Sequence, residues 1–180
     1  RMHRRYFIQN MAVALEEIRQ TIPGIDEYMV GIDAASDENV MEPWMFAPAY
    51  KLIRSQEVTR PVVKVTNGRT SFSRVQNIGF TYHVGEDFRH IVSGLRHIDE
   101  VLEEFRYKAG DRLGHALALG VSAEQWAADN EVVAVPVLEH MENLLWIWGI
   151  CIHGDLDLPV KTGVLEDRII GIVHELYPCW

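Results

Sequence analysis

The stretch Ile78-Gly79-Phe80-Thr81-Tyr82-His83-Val84-Gly85-Glu86-Asp87 decides how this chain is read. Ile78–His83 is rich in the aromatic and β-branched residues that suit a strand. Gly85-Glu86-Asp87 follows as a turn. Side chains alternate across a strand, so Gly79, Thr81 and His83 share one face, while Ile78, Phe80 and Tyr82 share the other. A bulky apolar face calls for a covering layer of helices. The small face leaves His83 at the strand's carboxyl end, with Glu86 three residues on, past a glycine.

The next segments supply that layer. Ile91, Val92, Leu95, Ile98, Val101, Leu102 and Phe105 recur at helical spacing and fill one stripe, with Arg89, Arg96, Asp99, Glu100, Glu103 and Glu104 elsewhere. Gly110 closes the helical region, and Asp111–His115 reads as a second short strand. Strand, helix and strand in this length form a βαβ unit, which implies parallel strands. Successive parallel strands are neighbours in most such folds, so His83, Glu86 and His115 are expected to converge. Gly114 would allow a close backbone approach to a ligand.

Upstream, residues 6–22 carry one apolar helical stripe, stopped at Pro23-Gly24. Tyr28–Ile32 reads as a short buried strand ending at Asp33, followed by the turn-like, acidic segment Ala34–Pro43. Trp44–Ser55 reads as helix. Residues 59–77 hold Pro61, Asn67-Gly68 and many Ser, Thr and Arg residues, and read as an irregular loop or insertion. Downstream, Ser122 is a plausible N-cap for a helix to Asn130. Val132–Val137 reads as a strand weakened by Pro136. Leu138–Ile150 and Val164–Leu176 read as helices.

Composition bounds the function. The chain has 180 residues and a formal charge of −9, with 48% apolar and 24% charged residues. These are globular proportions. The acidic balance argues against a protein that grips long nucleic acid through its phosphates, but leaves room for a nucleoside or nucleotide in a pocket. No run of about 18 apolar residues is present, so no membrane span is expected. The basic start Arg1-Met2-His3-Arg4-Arg5 precedes no signal-peptide core, and Cys151 and Cys179 fit a reducing compartment. A cytoplasmic location is the expectation.

Three segments together resemble the adenosine deaminase branch of the metal-dependent amidohydrolases. They are Ile32-Asp33-Ala34-Ala35-Ser36-Asp37-Glu38, His83-Val84-Gly85-Glu86 and Gly114-His115-Ala116, with Phe46-Ala47-Pro48-Ala49-Tyr50 also similar to family members. The resemblance covers residues 28–116. It implies the central part of a (β/α)8 barrel of the TIM type, with a helical insertion or extension over 137–180 and active-site residues at the carboxyl ends of the strands. It implies that His83 is a zinc ligand, that Glu86 protonates a purine ring nitrogen, and that His115 orients and helps deprotonate a water held by the zinc. Asp33 and Ser36 would meet the substrate, adenosine or an adenine nucleotide. Ser36 stands where the family has glycine. The helix start Gly85–Glu100 is similar to the large bacterial deaminases of anti-phage RADAR systems, which implies a homo-oligomer.

The chain holds no His-x-His and no adjacent Asp-Asp, the pairs that supply the family's other zinc ligands; Asp155-Leu156-Asp157 is the nearest candidate. The expectation is therefore a single unit over 1–180 that is a fragment of a larger deaminase barrel, with the remaining ligands outside it. The alternative is a catalytically inactive deaminase-like structural or assembly subunit.

Other residues carry blander expectations. His90 and His97 would border a buried helix. Glu139-His140-Met141-Glu142-Asn143 would be the wet face of a helix whose other face holds Leu144, Leu145, Ile147 and Trp148. Trp146 and Trp148 would pack in the core or anchor an interface, and Arg54, Arg60, Arg69 and Arg74 would be solvated.

Overall fold

The computed structural model describes residues 2–22, 24–25, 28–35, 37–55, 61–66, 69–74, 78–154 and 161–178. Helix α1 (Met2–Thr21) is followed by strand β1 (Gly31–Ala34), a 3-10 turn (Pro43–Met45) and α2 (Ala47–Ser55). Strands β2 (Pro61–Thr66), β3 (Arg69–Arg74) and β4 (Gly79–Val84) come next, then α3 (Ile91–Glu104) and β5 (Arg112–His115). A second 3-10 turn (Leu117–Leu119) leads into α4 (Ala123–Asp129), α5 (Val137–His153) and α6 (Thr162–Leu176).

The sheet has three parallel strands in the order β1-β4-β5, with Asp33 beside Thr81 and His83 beside Gly114. The expected βαβ unit is therefore present as β4-α3-β5. The expected barrel is not. A (β/α)8 barrel needs eight parallel strands, whereas the described residues form three, and the only other strands make a separate antiparallel pair. After His115 the described regular structure is entirely helical. A βαβ unit is common to many α/β folds, so one unit with active-site-like strand ends does not by itself close a cylinder.

The alternation read along β4 holds. Phe80, Tyr82 and Val84 are buried, as is Ile78 just before them, while Thr81 and His83 are half-buried. The buried side meets α2 and α3 through an aromatic cluster. Tyr50 lies 4.8 Å from Phe80 and 4.4 Å from Phe105, and Tyr82 lies 4.9 Å from Phe105, ring centre to ring centre. Such pairs add about 0.5–1.5 kcal/mol each beyond the area they bury. The Phe46–Tyr50 segment thus serves the core, and the Tyr50 hydroxyl donates to the carbonyl of Thr81 at 2.9 Å.

The amino ends of the strands are tied by a buried ion pair. Asp111 bonds the Arg54 guanidinium and accepts hydrogen bonds from the amides of Phe80, at 2.9 Å, and Lys108, at 2.8 Å. Arg54 also lies over the Phe80 ring at 3.7 Å. It is a core residue, not the solvated arginine expected from its neighbours in sequence.

Three other expectations are corrected. Residues 59–77 are not an irregular loop throughout: β2 and β3 pair antiparallel, with Thr66 opposite Arg69. Val62, Val63 and Val65 are β-branched and suit a strand; Asn67 and Gly68, between the two strands, lie outside the described residues. Val132–Pro136 forms no strand, and Pro136 instead precedes the first turn of α5. The faces of α5 divide differently from the expectation, although Leu144 is buried as expected. Glu139 and Asn143 are buried against α3, while Leu145 is exposed. The Ser93 hydroxyl donates to Glu139 at 2.7 Å, and the Arg96 Nε donates to Asn143 at 3.0 Å. This polar seam satisfies Glu139 and Asn143 where they are buried. Trp146 donates to Asp99 at 2.7 Å, and Trp148 to Glu166 at 2.9 Å, joining α5 to α3 and α6. No helix among the described residues is long and apolar enough to cross a membrane.

Candidate functional site

Asp33, His83, Glu86 and His115 gather at the carboxyl ends of the three parallel strands. They form two pairs. The Asp33 Oδ1 lies 3.1 Å from the His83 Nδ1, and the Glu86 Oε2 lies 3.1 Å from the His115 Nε2. The two imidazole centres are 5.2 Å apart. The parallel register produces this closeness, because Gly114 beside His83 puts His115 one residue further along. Ser36, the other expected substrate-binding residue, lies outside the described residues, as does Asp155-Leu156-Asp157.

Gly114 has a role other than the one its position suggested. A Cβ there would stand 2.6 Å from Cδ2 and 2.7 Å from Cγ of His83. The close approach is made by the His83 ring itself, so the missing side chain holds that imidazole beside His115.

The backbone at β5 is unusual. His115 has φ +58° and Ala116 φ +49°, two consecutive non-glycine residues in the left-handed region. Each such residue costs about 1–2 kcal/mol. The conformation is held by the Ala116 amide, which donates to the carbonyls of Gly114 at 2.8 Å and Val84 at 3.0 Å. It turns the chain sharply after His115 and leaves that side chain at the sheet edge, 44% exposed.

Glu38 closes the Ile32–Glu38 segment, and the sequence pattern implies no role for it. It is 2% exposed, and its carboxylate faces the turn that carries Glu86. Oε2 accepts from the Gly85 amide at 2.8 Å, and Oε1 accepts from the amides of Glu86 at 2.8 Å and Asp87 at 3.2 Å. Asn39 donates to the Asp87 carbonyl. Burial works to raise the Glu38 pKa, but the His97 hydrogen bond and the three amides outweigh it and hold the carboxyl below its ordinary value. His97 is thus a buried partner of Glu38, with Nδ1 3.3 Å from Oε2, and not a border residue. His90 caps α3, its Nδ1 accepting from the Val92 amide at 3.1 Å.

The cluster offers zinc one suitably arranged ligand. With Nδ1–H donated to Asp33, His83 would present the Nε2 lone pair, the carboxylate-backed arrangement common to metal-bound histidines. A hydrolytic zinc site takes about three protein ligands plus water, and no three His, Cys, Asp or Glu side chains among the described residues are grouped to hold a metal ion. As a set, the described residues do not fit a zinc centre. They do fit proton transfer, since Glu86 and His115 are a carboxylate and an imidazole in hydrogen-bond reach on a half-exposed edge.

Comparison of the chain with models of known protein families gives no match, and comparison with curated proteins gives none either.

Proposed function

We propose that the strand-end cluster performs hydrolytic deamination of adenosine or an adenine nucleotide to the inosine form, as the resemblance to adenosine deaminases implies. The observation that carries this reading is the Glu86–His115 pair, 3.1 Å apart, beside His83. Glu86, protonated, donates to a purine ring nitrogen and makes the carbon bearing the amine more electrophilic. His115 takes a proton from the attacking water as the carbon–oxygen bond forms and returns it to the amine, which leaves as ammonia when the carbon–nitrogen bond breaks; the new hydroxyl then gives its remaining proton to Glu86, which restores the acid and leaves the carbonyl of the inosine form. Asp33 orients His83 and, with Ser36, meets the substrate. His83 is the residue this reading offers to zinc, and no step is assigned to the metal because the described residues form no three-ligand group. A homo-oligomer in the cytoplasm belongs to the same proposal.

The test is ammonia release from adenosine and from ATP, with zinc per chain measured by mass spectrometry on the same sample. Release that falls by about 10²–10⁴-fold in Glu86→Gln and in His115→Gln is the expected result. No release, with or without added zinc, would overturn the proposal. Ser36 in place of the family's glycine, and a sequence without His-x-His or adjacent Asp-Asp, favour a second reading, a catalytically inactive deaminase-like assembly subunit, and that outcome would leave it standing.

A further inference from the structure

We propose that Glu38 is a positioning residue for Glu86, holding the Gly85–Asp87 turn so that the Glu86 carboxylate meets His115. The inference rests on the deaminase reading for its purpose, but its geometry stands apart from it. Glu38 contacts neither Glu86's carboxylate nor His115; it acts through the backbone. One buried carboxylate gathers three successive amides, those of Gly85, Glu86 and Asp87, at 2.8–3.2 Å. Hydrogen bonds to an ionised acceptor are about twice as strong as neutral ones. Gly85 sits at φ +74°, and a Cβ there would stand 2.5 Å from the Ile98 side chain, so the turn is built tightly against α3.

Glu38 is itself held from behind. The Arg96 Nη2 lies 3.2 Å from the His97 Nε2, so Arg96 donates there and the His97 Nδ1–H is left to donate to Glu38. Arg96 is fixed in turn by Asn143, at 3.0 Å, and by Glu100. Asn143 donates to Ser93 at 2.8 Å, and Ser93 to Glu139 at 2.7 Å. A line of buried polar groups therefore runs from α5 through α3 to the turn bearing Glu86. Glu86 is 42% exposed and reaches His115 by its side chain, Oε2 3.1 Å from Nε2, so its aim is set by the backbone that Glu38 holds.

The test reads the imidazole ¹⁵N resonances of His115, which a residue needed only for folding would leave in place once circular dichroism has shown the variant folded. Glu86→Gln supplies the resonance position of an imidazole without its carboxylate. In Glu38→Gln the His115 Nε2 resonance is expected to move toward that position, and the Gly85 and Glu86 amides to exchange with solvent about tenfold faster. A folded Glu38→Gln with His115 unmoved would overturn the inference. Should Glu38→Gln not fold, Glu38→Asp is read by the same two outcomes. In the wild type, Gly85 and Glu86 amides that exchange as fast as those of an exposed loop would also overturn it. Ammonia release from the same samples separates the two readings. A silent wild type ends the deaminase proposal and leaves the resonance test intact, while an active wild type with His115 unmoved in Glu38→Gln ends the positioning role alone.

Discussion

The imidazole of His83 occupies the space a side chain at residue 114 would need: a Cβ on Gly114 would stand 2.6 Å from its Cδ2. The two residues are partners in the β4–β5 register. Gly114→Ala should therefore push His83 away from His115 and cost about 1–3 kcal/mol of stability. Thermal melting measures the cost. A double variant, Gly114→Ala with His83→Ala, should recover most of it, because the ring that clashes is gone.

Ala116 holds a left-handed backbone at φ +49°, a strain its Cβ creates and its partial packing against the core only partly offsets. Ala116→Gly should stabilise the protein by about 1 kcal/mol, seen as a raised melting temperature. The reverse experiment at Gly85, φ +74° and hard against Ile98, should destabilise when alanine is introduced.

Glu38 makes stability depend on acid. Its carboxyl titrates below the ordinary Glu value of 4.5, with burial opposing and the His97 and amide hydrogen bonds prevailing. Between the lowered value and 4.5 the unfolded chain binds more protons than the folded one. The Glu38 contribution is then complete above that range and lost as pH falls through the lowered value. Denaturant midpoints measured from pH 6 downward should fall in this window for the wild type, and fall less steeply for Glu38→Gln.

Asp111 answers Arg54 and two backbone amides from a buried position, its side chain 2% exposed. Asp111→Ala should cost about 1–3 kcal/mol, since it removes the buried acceptor that the Arg54 guanidinium and the amides of Phe80 and Lys108 share. Replacing both partners, Arg54→Met with Asp111→Leu, should cost less than the single change. Denaturant unfolding of the three variants gives the comparison.

The β4-α3-β5 unit was legible because its two periods, two and 3.6, are strong along Ile78–Phe105, and because strands that follow one another through a helix pair in parallel. The meeting of His83, Glu86 and His115 followed from the same logic. The barrel did not follow, since a βαβ unit carries no record of how many strands stand beside it. The Glu38 clamp was illegible for a different reason. Its partners are backbone amides 47 to 49 residues away, and every residue but proline has one, so no side-chain pattern marks the contact. The signal available was weak: a glutamate between polar neighbours that turns out to be 2% exposed. The Arg-rich, Ser-rich composition of residues 69–74 hid a hairpin whose better evidence was the Asn-Gly pair. On α5 the run Leu144–Trp148 suggested the core side, and Leu144 is buried, but a helix also buries the polar groups that its neighbour can pair. Here α3 offered Ser93 and Arg96.

The Arg54–Asp111 pair fastens the strands where they begin, while Asp33, His83, Glu86 and His115 stand where they finish. Foundations and tools are thus kept at opposite ends of the same short beams. The four strand-end groups are half-exposed or exposed, and their pairings contribute little to holding the fold together. Their chemistry can be exchanged for another, by selection or by design, without first rebuilding the frame that carries it.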